Sequence, residues 1–139
     1  MENSAIIIVL AFCGVERVFS KFMNSQRVKS SDEGLAQGWS LQEQSLAQRV
    51  FDLAYEREIT SLIQSVSTQA KEIADAKDMW CLNDFLSAKR HEVDGKYDFR
   101  YSYLIMVFAR LLKEGWLEPY ELDGLAPNKL AKIKALSRM

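Results

Sequence analysis

The sequence predicts an all-α protein: an elongated stalk of two long helices carrying a small helical head, assembled as a homodimer. Two observations carry this. Between Trp39 and Gly95 the chain holds neither glycine nor proline, and its apolar residues recur mostly at three- and four-residue steps, the period of one helix face. The resulting stripe is also longer than one small domain covers, and no run shows the two-residue alternation of a strand.

Each element follows in order. Ala5 to Cys13 is a run of nine apolar residues, short of the roughly 20 that cross a bilayer. It resembles the apolar centre of a secretion signal, but Glu2 precedes it without Lys or Arg and no small-residue cleavage pattern follows. Alternatively, the native start lies further in, at Met23 for instance, and the early residues are an appended extension. Residues 24–38 are rich in Ser, Gln, Gly and charge, with only Val28, Leu35 and Ala36 apolar, the composition of a linker. We therefore expect an N-terminal extension over 1–38 and one folded domain over 39–139.

Ser40-Leu41-Gln42-Glu43 is a capping box, in which hydroxyl and carboxylate each satisfy an orphaned backbone N–H. Leu46, Val50, Leu53, Ile59, Leu62, Ile63, Val66, Ala70 and Ile73 then carry one helix from Leu41 to about Ala76, a rod of about 54 Å. A compact unit of about 100 residues has a radius of gyration near 13 Å, so this rod overhangs its own domain. Its stripe requires a later helix folded back on it, a second chain, or both. A second helix is expected from Asp78, as N-cap, to about Val93, stopped by Asp94-Gly95. A third spans Tyr101 to Leu112, forms the core of the head and ends at Gly115. Pro119 and Pro127 open two short helices, Pro119 to Asp123 and Pro127 to about Ser137, with proline in the tolerated first turn.

Composition narrows function by exclusion. The 139 residues carry 18 Lys plus Arg against 19 Asp plus Glu, a net charge of -1, so no global field draws the chain to nucleic acid or anionic lipid. With 48% hydrophobic and 27% charged residues, it lies in the range of chains that fold. Cys13 and Cys81 with a single histidine cannot build a Cys/His zinc site within one chain, and two separated thiols suit a reducing compartment. No phosphate loop, nucleophile elbow or His-Glu-x-x-His pair is present. His91, Glu92 and Asp94 flank a helix end with no nucleophile placed to complete a triad. We expect no enzyme activity, no cofactor and no metal.

The second helix carries the candidate site. Met79, Leu82, Phe85, Leu86 and Val93 share one side; Trp80, Asn83, Asp84, Ser87, Arg90 and His91 fall at i, i+3, i+4, i+7, i+10 and i+11 on the other. Trp80 either caps the edge of the core amid solvated charges or anchors an interface; Trp and Arg together are the residue types enriched in binding hot spots, which favours the interface. Asp84 and Arg90 are six apart and do not meet squarely on one helix, whereas across a dimer axis they can exchange bonds. The expected dimer interface comprises Met79, Leu82, Asp84 and Arg90. From Gly124 onward Lys129, Lys132, Lys134 and Arg138 stand without a side-chain acid, either complementing a helix dipole or meeting an acidic partner. Tyr103 and Met106 read as packing.

The run from Asp84 to Asp98, DFLSAKRHEVDGKYD, resembles the fluorescence recovery proteins of cyanobacteria; so do Leu111 to Gly115 and the stretch from Lys132 to Met139. The resemblance covers about Trp39 to Met139. It implies a helical dimer with a long stalk and small heads, a regulator that binds the light-activated orange carotenoid protein through that partner's C-terminal domain. Such a regulator speeds the partner's return to its orange form and helps detach it from the phycobilisome, ending energy quenching. It further implies a cytoplasmic location with peripheral association with the thylakoid or phycobilisome. The family's functional patch falls on Trp80, Asp84 and Arg90. Asn83 stands where the family commonly has His, which keeps hydrogen bonding but removes a titratable group. In the head, Met106 aligns with a family aromatic and Lys132 with the family's lysine, so the implied partner-binding set is Trp80, Asn83, Asp84, Arg90, Met106 and Lys132. The other reading of the same chain is a helical adaptor or nucleic-acid-binding regulator using its basic C-terminal helix; the -1 charge and the lack of aromatics among those cations count against it.

Overall fold

A computed structural model describes residues 38–139; the readings made for the first 37 residues lie outside them. The described residues form four α-helices, α1 (Leu41–Lys71), α2 (Ala76–Lys96), α3 (Leu104–Glu114) and α4 (Pro127–Ser137), with a 3-10 turn, Pro119–Leu122, before α4. There is no strand among them, only one isolated bridge between Asp123 and Leu125.

The expected capping box opens α1: the Glu43 N–H donates to Ser40 Oγ (3.2 Å) and the Ser40 N–H to Glu43 Oε2 (2.8 Å). Glu43 does more than the local pattern asks. Lys129 Nζ on α4 donates to both of its oxygens at 2.8 and 2.9 Å, and the Ala126 N–H to one of them at 2.8 Å. Lys129 also donates to the Gly38 carbonyl and lies 4.4 Å from the Trp39 ring centroid. Burial alone would push the Glu43 carboxyl up, but the Lys129 hydrogen bond, with those from Ala126 and Ser40, holds it at about 2. Chain entry and C-terminal helix are thereby locked together.

Five boundaries differ from the expectation. α1 stops at Lys71, short of Ala76, and Asp75 rather than Asp78 caps α2. Asp75 accepts from the Asp78 N–H (3.0 Å) while Asp78 accepts from the Ala74 N–H (3.1 Å), and these local side-chain bonds displace the helical ladder. α2 runs through Asp94-Gly95 to Lys96, because Lys96 is anchored by carboxylates on two other helices. α3 begins at Leu104, since the Arg100 carbonyl takes the N–H groups of Tyr103 (2.7 Å) and Leu104 (3.0 Å) in a preceding turn. It ends as expected at Gly115, whose φ of +80° is the left-handed closure that glycine adopts without strain. The second short helix is α4 as read, and the first is the 3-10 turn, ending at Leu122 rather than Asp123.

The core lies in the head. Leu46, Ala47, Val50, Phe51 and Ala54 of the first half of α1 pack with Leu104, Val107, Phe108 and Leu111 of α3, with Ile133 of α4 and with Tyr97 and Phe99. Phe51 meets Tyr97 and Phe99 edge-on at 5.4 and 5.0 Å, the favoured aromatic arrangement. One turn beyond Ala54, Glu58 is also buried. It accepts from Lys96 Nζ (2.6 Å) and from the Tyr97 hydroxyl (2.8 Å), and Lys96 donates as well to Glu114 (2.5 Å), which Arg110 holds from outside at 2.7 Å. Burial, then the hydrogen bond to Glu58, pushes the Tyr97 hydroxyl well above its ordinary range. Burial pushes the Glu114 carboxyl up, but the bonds from Lys96 and Arg110 hold it below its ordinary value. On the surface, Arg57 ties α1 to the 3-10 turn by paired bonds to Glu121 at 2.8 and 2.7 Å.

Candidate partner-binding face

The outer part of the α1–α2 hairpin has no core of its own. Ile63, Met79, Trp80 and Leu86 are all exposed there, Trp80 at 60%. On α2 the inward ridge is Leu82, Phe85, Lys89, Val93 and Lys96, all buried or half-buried. Met79 and Leu86, seven residues apart, lie on the flank of that ridge and are 45% and 39% exposed. Arg90 is one turn beyond Leu86 on the same flank, so a narrow apolar strip ends in a guanidinium.

Trp80 does not cap the edge of the core. It stands with Asn83 and Asp84 within one turn, and Arg90 follows about 15 Å along the axis; all four are exposed. Arg90 approaches Asp94 within the helix, Nε to Oδ2 at 3.6 Å, a contact that at this exposure adds little. Asp84 makes no ion pair among the described residues. The two groups expected to exchange bonds across a dimer axis are thus both available on the surface of one chain.

In the head, the packing read for Met106 and Tyr103 is not what the structure has: they are 63% and 49% exposed, and Arg100 lies 4.2 Å from the Tyr103 ring centroid. Met106 lines an open depression of about 520 Å³ with Ala109, Arg110, Lys113 and Leu136. Lys132 is exposed one turn before Leu136, on the same flank of α4. The basic C-terminal stretch is smaller than its composition implied, because Lys129 is spent on Glu43; Lys132, Lys134 and Arg138 remain as its exposed cations. Both polar locks, Glu43–Lys129 and Glu58–Lys96–Glu114, went unread in sequence. Glu58 gave one signal: it continues the four-residue steps from Val50 and Ala54, placing a carboxylate where a buried residue belongs.

Among the described residues, no group of three or more His, Cys, Asp or Glu is placed to hold a metal ion, and no helix is long and apolar enough to cross a membrane. What the surface offers is a helix face with a large aromatic plate followed along the axis by a carboxylate and then a guanidinium, the equipment of a helical protein-contact module.

The chain belongs to the fluorescence recovery protein family of photoprotection regulators, whose family model matches residues 39–137. It is 52% identical over 101 residues to the fluorescence recovery protein of Synechocystis sp., spanning 73% of this chain and 93% of that protein. The solved fluorescence recovery protein of Fremyella diplosiphon superposes with a TM-score of 0.72 at 57% identity, covering 73% of this chain and all of that one. The solved Synechocystis protein superposes at 0.71 with 52% identity, covering 73% and 99%. This is a regulatory family of cyanobacterial fluorescence recovery.

Proposed function

We propose that this chain binds the light-activated, red form of the orange carotenoid protein through that partner's C-terminal domain. There it accelerates return to the orange form and helps detach the partner from the phycobilisome, ending non-photochemical quenching. The observation that carries the reading is the 60% exposure of Trp80 on α2, beside Asp84 and Arg90, at the positions where the family resemblance places its functional patch. The working unit on this reading is a homodimer of the domain 39–139, its chains meeting at the exposed Met79 and the half-buried Leu82 beside it, with Asp84 and Arg90 paired between chains. It acts in the cytoplasm, at the periphery of the thylakoid or phycobilisome.

The physical requirement on such a regulator is strict. A ligand shifts a two-state equilibrium only through differential affinity, and one that speeds the change must bind the transition state between red and orange more tightly than it binds red. One rigid helix suits this because plate and charges keep a fixed spacing. Asn83 keeps a hydrogen-bonding group beside the plate without a proton to exchange in the physiological range. Met106 and Lys132 form a second, softer contact.

The test is the absorbance reversion of photoactivated orange carotenoid protein, timed with wild type, Trp80→Ala, Arg90→Leu and Lys132→Ala, after circular dichroism shows each folded. A hot spot of about 2 kcal/mol or more predicts acceleration reduced on the order of thirtyfold for each α2 variant, and a smaller loss for Lys132→Ala. Folded α2 variants that accelerate like wild type would place the working surface elsewhere.

A further inference from the structure

We propose that Lys96 is a positioning residue that sets the angle between α2, bearing Trp80, Asp84 and Arg90, and the head, bearing Met106 and Lys132. This rests on the partner-binding reading above and adds a residue that touches no partner.

The attachment of α2 to the rest of the domain is concentrated in its last turns, where Val93 and Lys96 are its only fully buried residues. Lys96 has no side-chain exposure at all, and its ammonium joins Glu58 of α1 at 2.6 Å to Glu114 of α3 at 2.5 Å. Tyr97, the next residue, aims its hydroxyl at the other oxygen of the same Glu58 at 2.8 Å. Three helices are therefore pinned through one nitrogen. Arg110 lies 2.7 Å from Glu114 and 3.7 Å from Glu92, extending the pinning to the α2 surface.

Stability alone does not ask for this arrangement. Buried charges replaced by hydrocarbon of similar volume commonly leave a fold as stable or more so, whereas directional bonds select one geometry where oily contacts tolerate several. Geometry matters here because α2 is a lever. Trp80 precedes Lys96 by 16 residues, about 24 Å along the axis, so a swing of about 5° at Lys96 carries the indole about 2 Å. A displacement of that size uncouples the two surfaces from a partner that must meet both.

The experiment separates angle from stability and from the partner reading. Two variants are made in the full chain. One is Lys96→Met. The other combines Glu58→Leu, Lys96→Met, Tyr97→Phe and Glu114→Met, which fills the site with hydrocarbon and keeps the test available should the single variant not fold. Spin labels at Ala88→Cys on α2 and Lys113→Cys on α3, with Cys13→Ser and Cys81→Ser and dilution into unlabelled protein, report the angle as a distance distribution. We expect one narrow distribution for wild type, a broadened or shifted one for each folded variant, and partner reversion accelerated about tenfold less than by wild type. The four-fold variant melting at or above the wild-type temperature while still showing both changes distinguishes positioning from mere support. A folded four-fold variant with the wild-type distribution, or with wild-type acceleration, overturns the proposal. If wild type itself leaves the partner's reversion unchanged, the partner reading fails, and the distance distribution alone decides whether Lys96 sets the angle.

Discussion

Replacing Lys129 by methionine removes the cation from the lock between α1 and α4 while keeping most of the side chain's bulk. In the folded protein Glu43 is held at about 2 against an ordinary 4.5, about 2.5 units, which at about 1.36 kcal/mol per unit corresponds to about 3 kcal/mol net for all its donors together after the opposing cost of burial. The N–H groups of Ser40 and Ala126 keep donating after the substitution, and residual solvent access screens the pair. About 2 kcal/mol is therefore the expected cost at pH 7. The folded value is depressed, so the stabilisation is fully present above pH 4.5 and drains away as pH falls toward 2. Urea unfolding of wild type and Lys129→Met at one protein concentration should give a difference of about 2 kcal/mol at pH 7, shrinking below about 1 kcal/mol at pH 2.5. Other carboxylates lose stability in acid too, which is why the difference between the chains is read. A difference that is the same at both pH values, or below about 0.5 kcal/mol at pH 7, would refute the electrostatic origin of the lock.

Met79→Glu places a carboxylate on the exposed apolar flank of α2 and should shift the proposed homodimer toward monomer, since burial would leave that charge unpaired; light scattering at micromolar concentration checks this, and a monomeric wild type would remove its basis. A chain beginning at Trp39 should fold and, on the proposed function, accelerate partner reversion to the same extent as the full chain, with circular dichroism and the reversion assay as readouts; lost helicity would place earlier residues in the folding unit. Tyr97→Phe deprives the buried Glu58 of one of its two donors and should cost about 1–2 kcal/mol in urea unfolding, whereas a neutral effect would mean the hydroxyl bond contributes nothing net.

Local grammar was readable from the chain and distant pairing was not. Ser40 and Glu43 lie three apart, so their reciprocal bonds follow from sequence; the second role of Glu43 depends on Lys129, 86 residues away, and no spacing rule reaches that far. Gly115 stops α3 because nothing opposes its left-handed closure, while Gly95 fails to stop α2 because Lys96 is tethered next to it. The α2 face bearing Trp80 was legible from the 3.6-residue period alone. The same period grouped Met79 and Leu86 with core positions although both are well exposed; periodicity identifies a face but not what covers it. Ala47, Phe51 and Ala54, not on the stripe drawn from sequence, are core residues, because the head contacts a wider arc of α1 than one row of every third or fourth residue.

From Ile59 to Glu92 no residue is fully buried, yet nearly the whole of that length is helical. In proteins most helical stability comes from the packing of an apolar face, so on the proposed homodimer the order of this hairpin is supplied in part by the second chain. Amide exchange should then run on two clocks. Protons of α3 and the first half of α1 wait for global unfolding, while those near Lys71 and Ala76 exchange through local opening, at a rate set by occupancy of the surface. On the proposed homodimer, concentration becomes a structural variable: diluting the protein should fray one end of the molecule and leave the other intact, and any binding partner should be registered first as slowed exchange at that end.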